Sequence, residues 1–152
     1  MSFVKKVLEF NNIAGQHCEF NPRNISLYVG LVLEEVEELI ASIPDDSGGD
    51  LGRLKVALDW NSRRFKQGDF DHLVERVNKV EALDACVDIS VVSIGCANAL
   101  GADVEGACNE VAESNLSKFP VGEDGRRVVL KDENGKIRKP DTYRPPQLAQ
   151  FL

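Results

Sequence analysis

The run from Asp71 to Leu100 constrains this chain most, because no proline interrupts it and Gly101 closes it. It reads as one long helix, or as two separated by a kink. Its second half is apolar on nearly every face, and a helix of that kind belongs at the centre of a packed domain. Two carboxylates break the apolar character, Asp84 and Asp88, the latter within Ala-Cys-Val-Asp-Ile-Ser-Val-Val. An unpaired buried carboxylate is costly, and aspartate is a mediocre helix former, so nothing local recommends it there. Lys79 is the only base nearby in sequence, which makes a divalent cation the better candidate for compensating the charge.

Further periodic segments surround this one. Phe3 to Ala14 places Val4, Val7, Leu8 and Phe10 or Ile13 at near-helical spacing before Gly15. Asn24 or Ser26 can cap the next helix, whose apolar positions Ile25, Tyr28, Val29, Val32, Val36, Leu39, Ile40 and Ile43 recur at helical spacing up to Pro44. Leu51 to Phe65 is helical again, with Gly68 after it, and Asp103 caps a helix running to about Lys118. Arg127 to Leu130 and Lys136 to Lys139 flank Glu-Asn-Gly, a hairpin signal, and Pro140, Pro145 and Pro146 make the remainder an extended tail. The expected fold is all-α, a four- to five-helix bundle with a small C-terminal β-hairpin and tail. A chain of 152 residues suits one domain, with the helical core over about 3–119 and the hairpin and tail over about 120–152.

Composition narrows the function classes. With 25 acidic against 18 basic residues and a formal charge of -7, the chain is poorly suited to general binding of nucleic-acid phosphates. Cys18, Cys86, Cys96 and Cys108 are scattered without a C-x-x-C pair, which fits a reducing compartment. The amino terminus carries no long apolar run with a cleavage site, and Asp88 and Asn98 interrupt the most apolar stretch. A cytoplasmic protein with no membrane or nucleic-acid partner is expected.

A second set of acids joins the first. With ~100° per residue and Val32 as zero, the apolar stripe of the second helix centres near 30°, whereas Glu34, Glu35 and Glu38 fall at about 200°, 300° and 240°. Glu37 lies near 140°, apart from them. Glu81, Asp84 and Asp88 occupy an arc of about 60° on their own helix. A run of glutamates alone is consistent with a solvated face. Together with the embedded aspartates it favours a hard cation, Mg²⁺ or Mn²⁺, because all the donors are oxygens. Neither His17 nor His72 stands in a Glu-x-x-His pair, so a carboxylate-bridged di-iron bundle is disfavoured.

The order of these motifs is informative. Leu-Glu-Glu-Val-Glu-Glu-Leu at Leu33 to Leu39, followed by Glu-Ala-Leu-Asp-Ala-Cys-Val-Asp at Glu81 to Asp88, resembles the E-E-x-x-E and E-x-x-D pair of the all-alpha nucleoside triphosphate pyrophosphohydrolases. That superfamily includes MazG, the dimeric dUTPases and phosphoribosyl-ATP pyrophosphohydrolase. Ser114-Asn115-Leu116-Ser117-Lys118, the glycine-bearing hairpin and Pro140-Asp141-Thr142-Tyr143-Arg144-Pro145-Pro146 are similar to the phosphoribosyl-ATP-pyrophosphohydrolase-like branch of MazG-type proteins. The resemblance spans about Phe10 to Leu148. The second motif departs from the family's compact form, offering both Glu81-x-x-Asp84 and Asp84-x-x-x-Asp88.

What the resemblance implies is a MazG-like bundle that hydrolyses a nucleotide between its alpha and beta phosphates, releasing a monophosphate and pyrophosphate. Possible substrates are dUTP and noncanonical triphosphates, a house-cleaning role. Glu35, Glu38, Glu81, Asp84 and Asp88 would hold Mg²⁺, with Glu81 and Asp88 as alternatives for one ligand position, and Glu34 would act on the attacking water. Lys118 and Asn115 would meet the phosphates. Trp60, the only tryptophan, either stacks on the base or packs in the core. The family's sites are completed by a second subunit, implying a homodimer or a dimer of dimers. Two alternatives stand beside this reading: phosphoribosyl-ATP hydrolysis, and a non-catalytic helical interaction module whose acids form a solvated face.

Overall fold

The fold follows from a computed structural model that describes residues 1–44, 49–132 and 137–152. In chain order the helices are α1 (Phe3–Ile13), α2 (Pro22–Ala41), α3 (Asp50–Gln67), α4 (Asp71–Val74), α5 (Lys79–Ala99) and α6 (Val104–Leu116), followed by a 3-10 turn at Leu148–Phe151. The chain is therefore all-α. Its contacts divide it into two compact units, one of Glu19–Ala82 and one of Met1–Cys18 with Leu83–Leu152.

In the unit of Glu19–Ala82, α2 and α3 form a helical hairpin. Asn21 caps α2 by accepting from the Asn24 amide at 3.1 Å, with Pro22 in the first turn, so the cap lies upstream of the expected Asn24 or Ser26. Proline needs no amide partner at that position, which makes it a start signal rather than a loop residue. The hairpin closes through small residues. Ser26, Gly30 and Ser62 are buried, and the Ser62 hydroxyl donates to the Gly30 carbonyl at 2.8 Å. A β-carbon at Gly30 would lie 2.7 Å from Lys66 Cγ and 2.8 Å from the Ser62 carbonyl oxygen, so this close approach requires glycine. The α2 stripe expected to face the core, including Tyr28, Val29, Val32, Val36 and Leu39, remains exposed. At the other end of α3, Gly68 adopts φ 90° and ends the helix, and Arg23 donates to the Phe65 and Lys66 carbonyls.

The second unit is built on α6. Asp103 caps it, accepting from the Gly106 amide at 3.1 Å. Ala112, Leu116 and Phe119 are its buried apolar residues, and the Phe119 ring meets Phe10 of α1 at a centroid distance of 4.9 Å. The Arg127 guanidinium donates to the Leu116 carbonyl at 2.9 Å and to that of Phe119 at 3.1 Å, satisfying acceptors at the end of the helix. The proline-bearing tail runs back along α6. Ser114 donates to the Arg144 carbonyl at 2.8 Å, Glu110 accepts from Arg144 and from the Gln147 amide, and the Asp103 amide donates to Phe151 at 2.8 Å.

Two expectations change. The C-terminal β-hairpin is not supported, because the described residues form only isolated antiparallel bridges, Val121 with Arg127 and Lys131 with Ile137. A tight turn forms at Gly122–Arg126 instead, where the Gly122 amide donates to the Arg126 carbonyl at 2.7 Å and Gly125 takes φ 77°. The expected Asn134-Gly135 turn lies outside the described residues. Second, the burial of the long segment differs, although of the two forms expected for Asp71 to Leu100 the divided one occurs: the Asn78 side chain accepts from the Val80 amide at 3.2 Å and starts α5 afresh. Along α5 every residue is exposed except Ala82 and Ala97, so this helix is not the buried centre that its composition suggests. Within its own unit, neither α1 nor α6 packs along it to any extent. No single helix among the described residues is long and apolar enough to cross a membrane.

Candidate functional site

The six candidate acids stand on two helices. On α2, Glu34 and Glu38 stand four positions apart, and the three glutamates Glu34, Glu35 and Glu38 share one flank. Glu34 is committed to an ion pair: Lys66 Nζ of α3 lies 2.8 Å from its Oε1. Glu34 is partly covered, while Glu35 and Glu38 are exposed. On α5, Glu81, Asp84 and Asp88 lie on one flank by helical geometry, and all three are exposed. The desolvation that made Asp88 anomalous in the sequence is thus absent along this helix. Among the described residues, no ion pair engages Glu38, Glu81, Asp84 or Asp88. Uncommitted carboxylates are donors that a hard cation accepts, so their chemistry fits Mg²⁺. Still, no three His, Cys, Asp or Glu side chains among the described residues are gathered at metal-ligating spacing.

Asn115 and Lys118 do come together. Lys118 Nζ donates to Asn115 Oδ1 at 2.8 Å and lies 5.7 Å from the Phe10 ring centroid. Asn115 also lines a cleft of about 100 Å³ between α1 and α6, with Phe3, Lys6, Val7, Phe10, Val111 and Ala112. Lys6, which the sequence reading passed over, is anchored there to Glu113 Oε1 at 2.7 Å and to Asn109 Oδ1 at 3.2 Å. The Lys6 hydrogen bond holds the Glu113 carboxyl below its ordinary value, against a smaller desolvation effect. At the tail, the hydrogen bond from Arg144 does the same for Glu110.

Trp60 is 63% exposed on α3, which removes the core-packing alternative and leaves its ring open to solvent. Its neighbours are structural: Arg63 pairs with Asp59 at 2.9 Å, and Arg64 pairs with Asp69 at 3.0 Å while covering the Phe70 ring. His17 and His72 are surface residues, the former 3.0 Å from Asn12 Oδ1. Lys66 and Gly30 are the residues that sequence reasoning missed in this region. The signal was a glycine inside a strong helical pattern, which often marks close backbone approach.

Compared with known proteins, the chain matches no family model, no curated sequence and no solved structure.

Proposed function

We propose that this chain is a Mg²⁺-dependent nucleoside triphosphate pyrophosphohydrolase of the all-alpha, MazG-like kind, releasing a nucleoside monophosphate and pyrophosphate. One observation carries the reading. The ordered acids Glu34, Glu35, Glu38 and then Glu81, Asp84, Asp88 fall on regular helices in solvent-accessible positions, with the Asn115–Lys118 pair after them. Glu35, Glu38, Asp84 and either Glu81 or Asp88 are the residues that would hold the cation, whose chemistry is to neutralise the triphosphate and orient its oxygens. Glu34 accepts the proton of the attacking water, its other carboxylate oxygen being engaged by Lys66. Lys118 supplies positive charge to the phosphates, steered by Asn115. Trp60 offers an open aromatic face on which a base can stack.

The exposed apolar faces of α5 support a homodimer or a dimer of dimers, since such a surface on a monomer marks association. The same surface also favours a second reading, a non-catalytic helical interaction module whose acids are merely solvated. Isothermal titration with Mg²⁺ separates the two. Saturable binding, weakened in Glu38→Gln and in Asp84→Asn, is the expected result; no saturable binding would favour the module. A Glu34→Gln protein should bind Mg²⁺ and lose turnover, and full retained turnover would remove Glu34 from its role.

A further inference from the structure

The ion pair between α3 and α2 has a built geometry. Lys66 lies in the last turn of α3, and its stem runs over Gly30 so closely that an alanine β-carbon there would stand 2.7 Å from Cγ. Ser62, one turn earlier on α3, ties the same point of α2 by its 2.8 Å hydrogen bond to the Gly30 carbonyl. Arg23 caps the carbonyl of Lys66 itself from the start of α2. Three contacts therefore fix where the stem leaves α3, and the ammonium meets Glu34 Oε1 one turn beyond Gly30 on α2. The pair is only part-covered, with side-chain exposures of 27% and 41%, so its energetic weight in folding is small. Lysine at this place is better explained by what it does to Glu34 than by stability.

We infer that Lys66 is a positioning residue: it holds Glu34 by one carboxylate oxygen, keeping this glutamate out of the cation's ligand set and leaving the other oxygen to accept a proton from water. The inference rests on the pyrophosphohydrolase reading for its catalytic consequence, and on the α2–α3 hairpin for its geometry. It explains a division of labour within one acidic flank. Glu34 is tethered by a fixed ammonium, whereas no ion pair engages Glu38. A glutamate that ligates the cation has its oxygens taken by the metal; one held through Oε1 alone keeps Oε2 oriented for a water molecule.

The test compares Lys66→Met, Lys66→Arg, Glu34→Gln and the Lys66→Met/Glu34→Gln double variant in two assays. By isothermal titration, Lys66→Met should bind Mg²⁺ several-fold more tightly, because a cation has left and Glu34 is free to ligate, and this gain should shrink in the Glu34→Gln background. In steady-state hydrolysis of nucleoside triphosphates, Lys66→Met should lose about 10²-fold in kcat with KM little changed, Lys66→Arg should recover most of it, and the double variant should be no worse than Glu34→Gln alone. Unchanged Mg²⁺ affinity in Lys66→Met would overturn the inference, as would a raised KM with intact kcat, which would make Lys66 a phosphate ligand. If the unmodified chain hydrolyses no triphosphate but the Glu34-dependent Mg²⁺ gain appears, the hydrolase reading fails and the tethering role stands. Lys66 and Glu34 are both partly exposed, so all four proteins should fold, which superimposable circular-dichroism melts would verify.

Discussion

Helices α5 and α6 follow one another in the chain and reverse what their sequences suggest. α5 is apolar on nearly every face and lies exposed, with Val80 at 78%, Leu83 and Val92 each at 67%. α6 is interrupted by Glu105, Asn109, Glu110 and Glu113, yet Ala112, Ser114 and Leu116 are buried on it. The difference is supply of partners. α6 has α1 on one side and the tail on another, and its polar side chains are used to tie both: Glu113 to Lys6, Glu110 to Arg144, Ser114 to the Arg144 backbone. Burial is decided by what reaches a helix, and apolar content only sets what is gained when something does.

Mutations around the two helices should differ in their cost. The largest effect expected is from Phe119→Ala, which empties a fully buried site against Phe10 and should cost about 3–5 kcal/mol in denaturant or thermal unfolding. Arg127→Met comes next, since it strips the donors from the Leu116 and Phe119 carbonyls, with a loss of about 1–3 kcal/mol. On α5, Leu83→Ala or Val92→Ala should change the unfolding of dilute protein by only about 0.5 kcal/mol but weaken self-association in sedimentation. A loss as large as that of Phe119→Ala would place α5 in a monomer core and undo the contrast.

The smallest effect is a pH dependence. The Lys6 hydrogen bond depresses the folded-state value of Glu113 below 4.5, so its contribution is complete above 4.5 and disappears as pH falls through the lower folded value. Thermal melts should therefore lose more stability on acidification in the unmodified chain than in Glu113→Gln. Equal losses would show that the α1–α6 tie adds nothing.

Local punctuation made much of the fold legible. Gly15, Gly68, Asp103 and Pro44 place helix ends within a residue or two of where they occur, because capping and positive φ are properties of short segments. Pro22 was readable as a helix start, and Asp124-Gly125 as a turn, but stronger neighbouring signals at Asn24 and Asn134-Gly135 overshadowed both. Which face of α2 meets α3 was not legible. The wheel favours the stripe through Val32, while the hairpin closes through Ser26 and Gly30, because small residues let backbones approach and hydrophobicity does not register that. Within the candidate site, helix periodicity grouped Glu34 with Glu35 and Glu38, but the contact that ties Glu34 to Lys66, 32 positions away, was not legible from it.

On the function proposed above, these acids serve Mg²⁺-dependent cleavage between the alpha and beta phosphates of a nucleotide. The direct measurement is product analysis after incubating the protein and Mg²⁺ with a panel of ribo- and deoxyribonucleoside di- and triphosphates. The prediction is monophosphate and pyrophosphate in equal amounts from at least one triphosphate, lost with chelator, with Glu38→Gln and with Asp84→Asn. Orthophosphate alone, or pyrophosphate release indifferent to those substitutions, would contradict it.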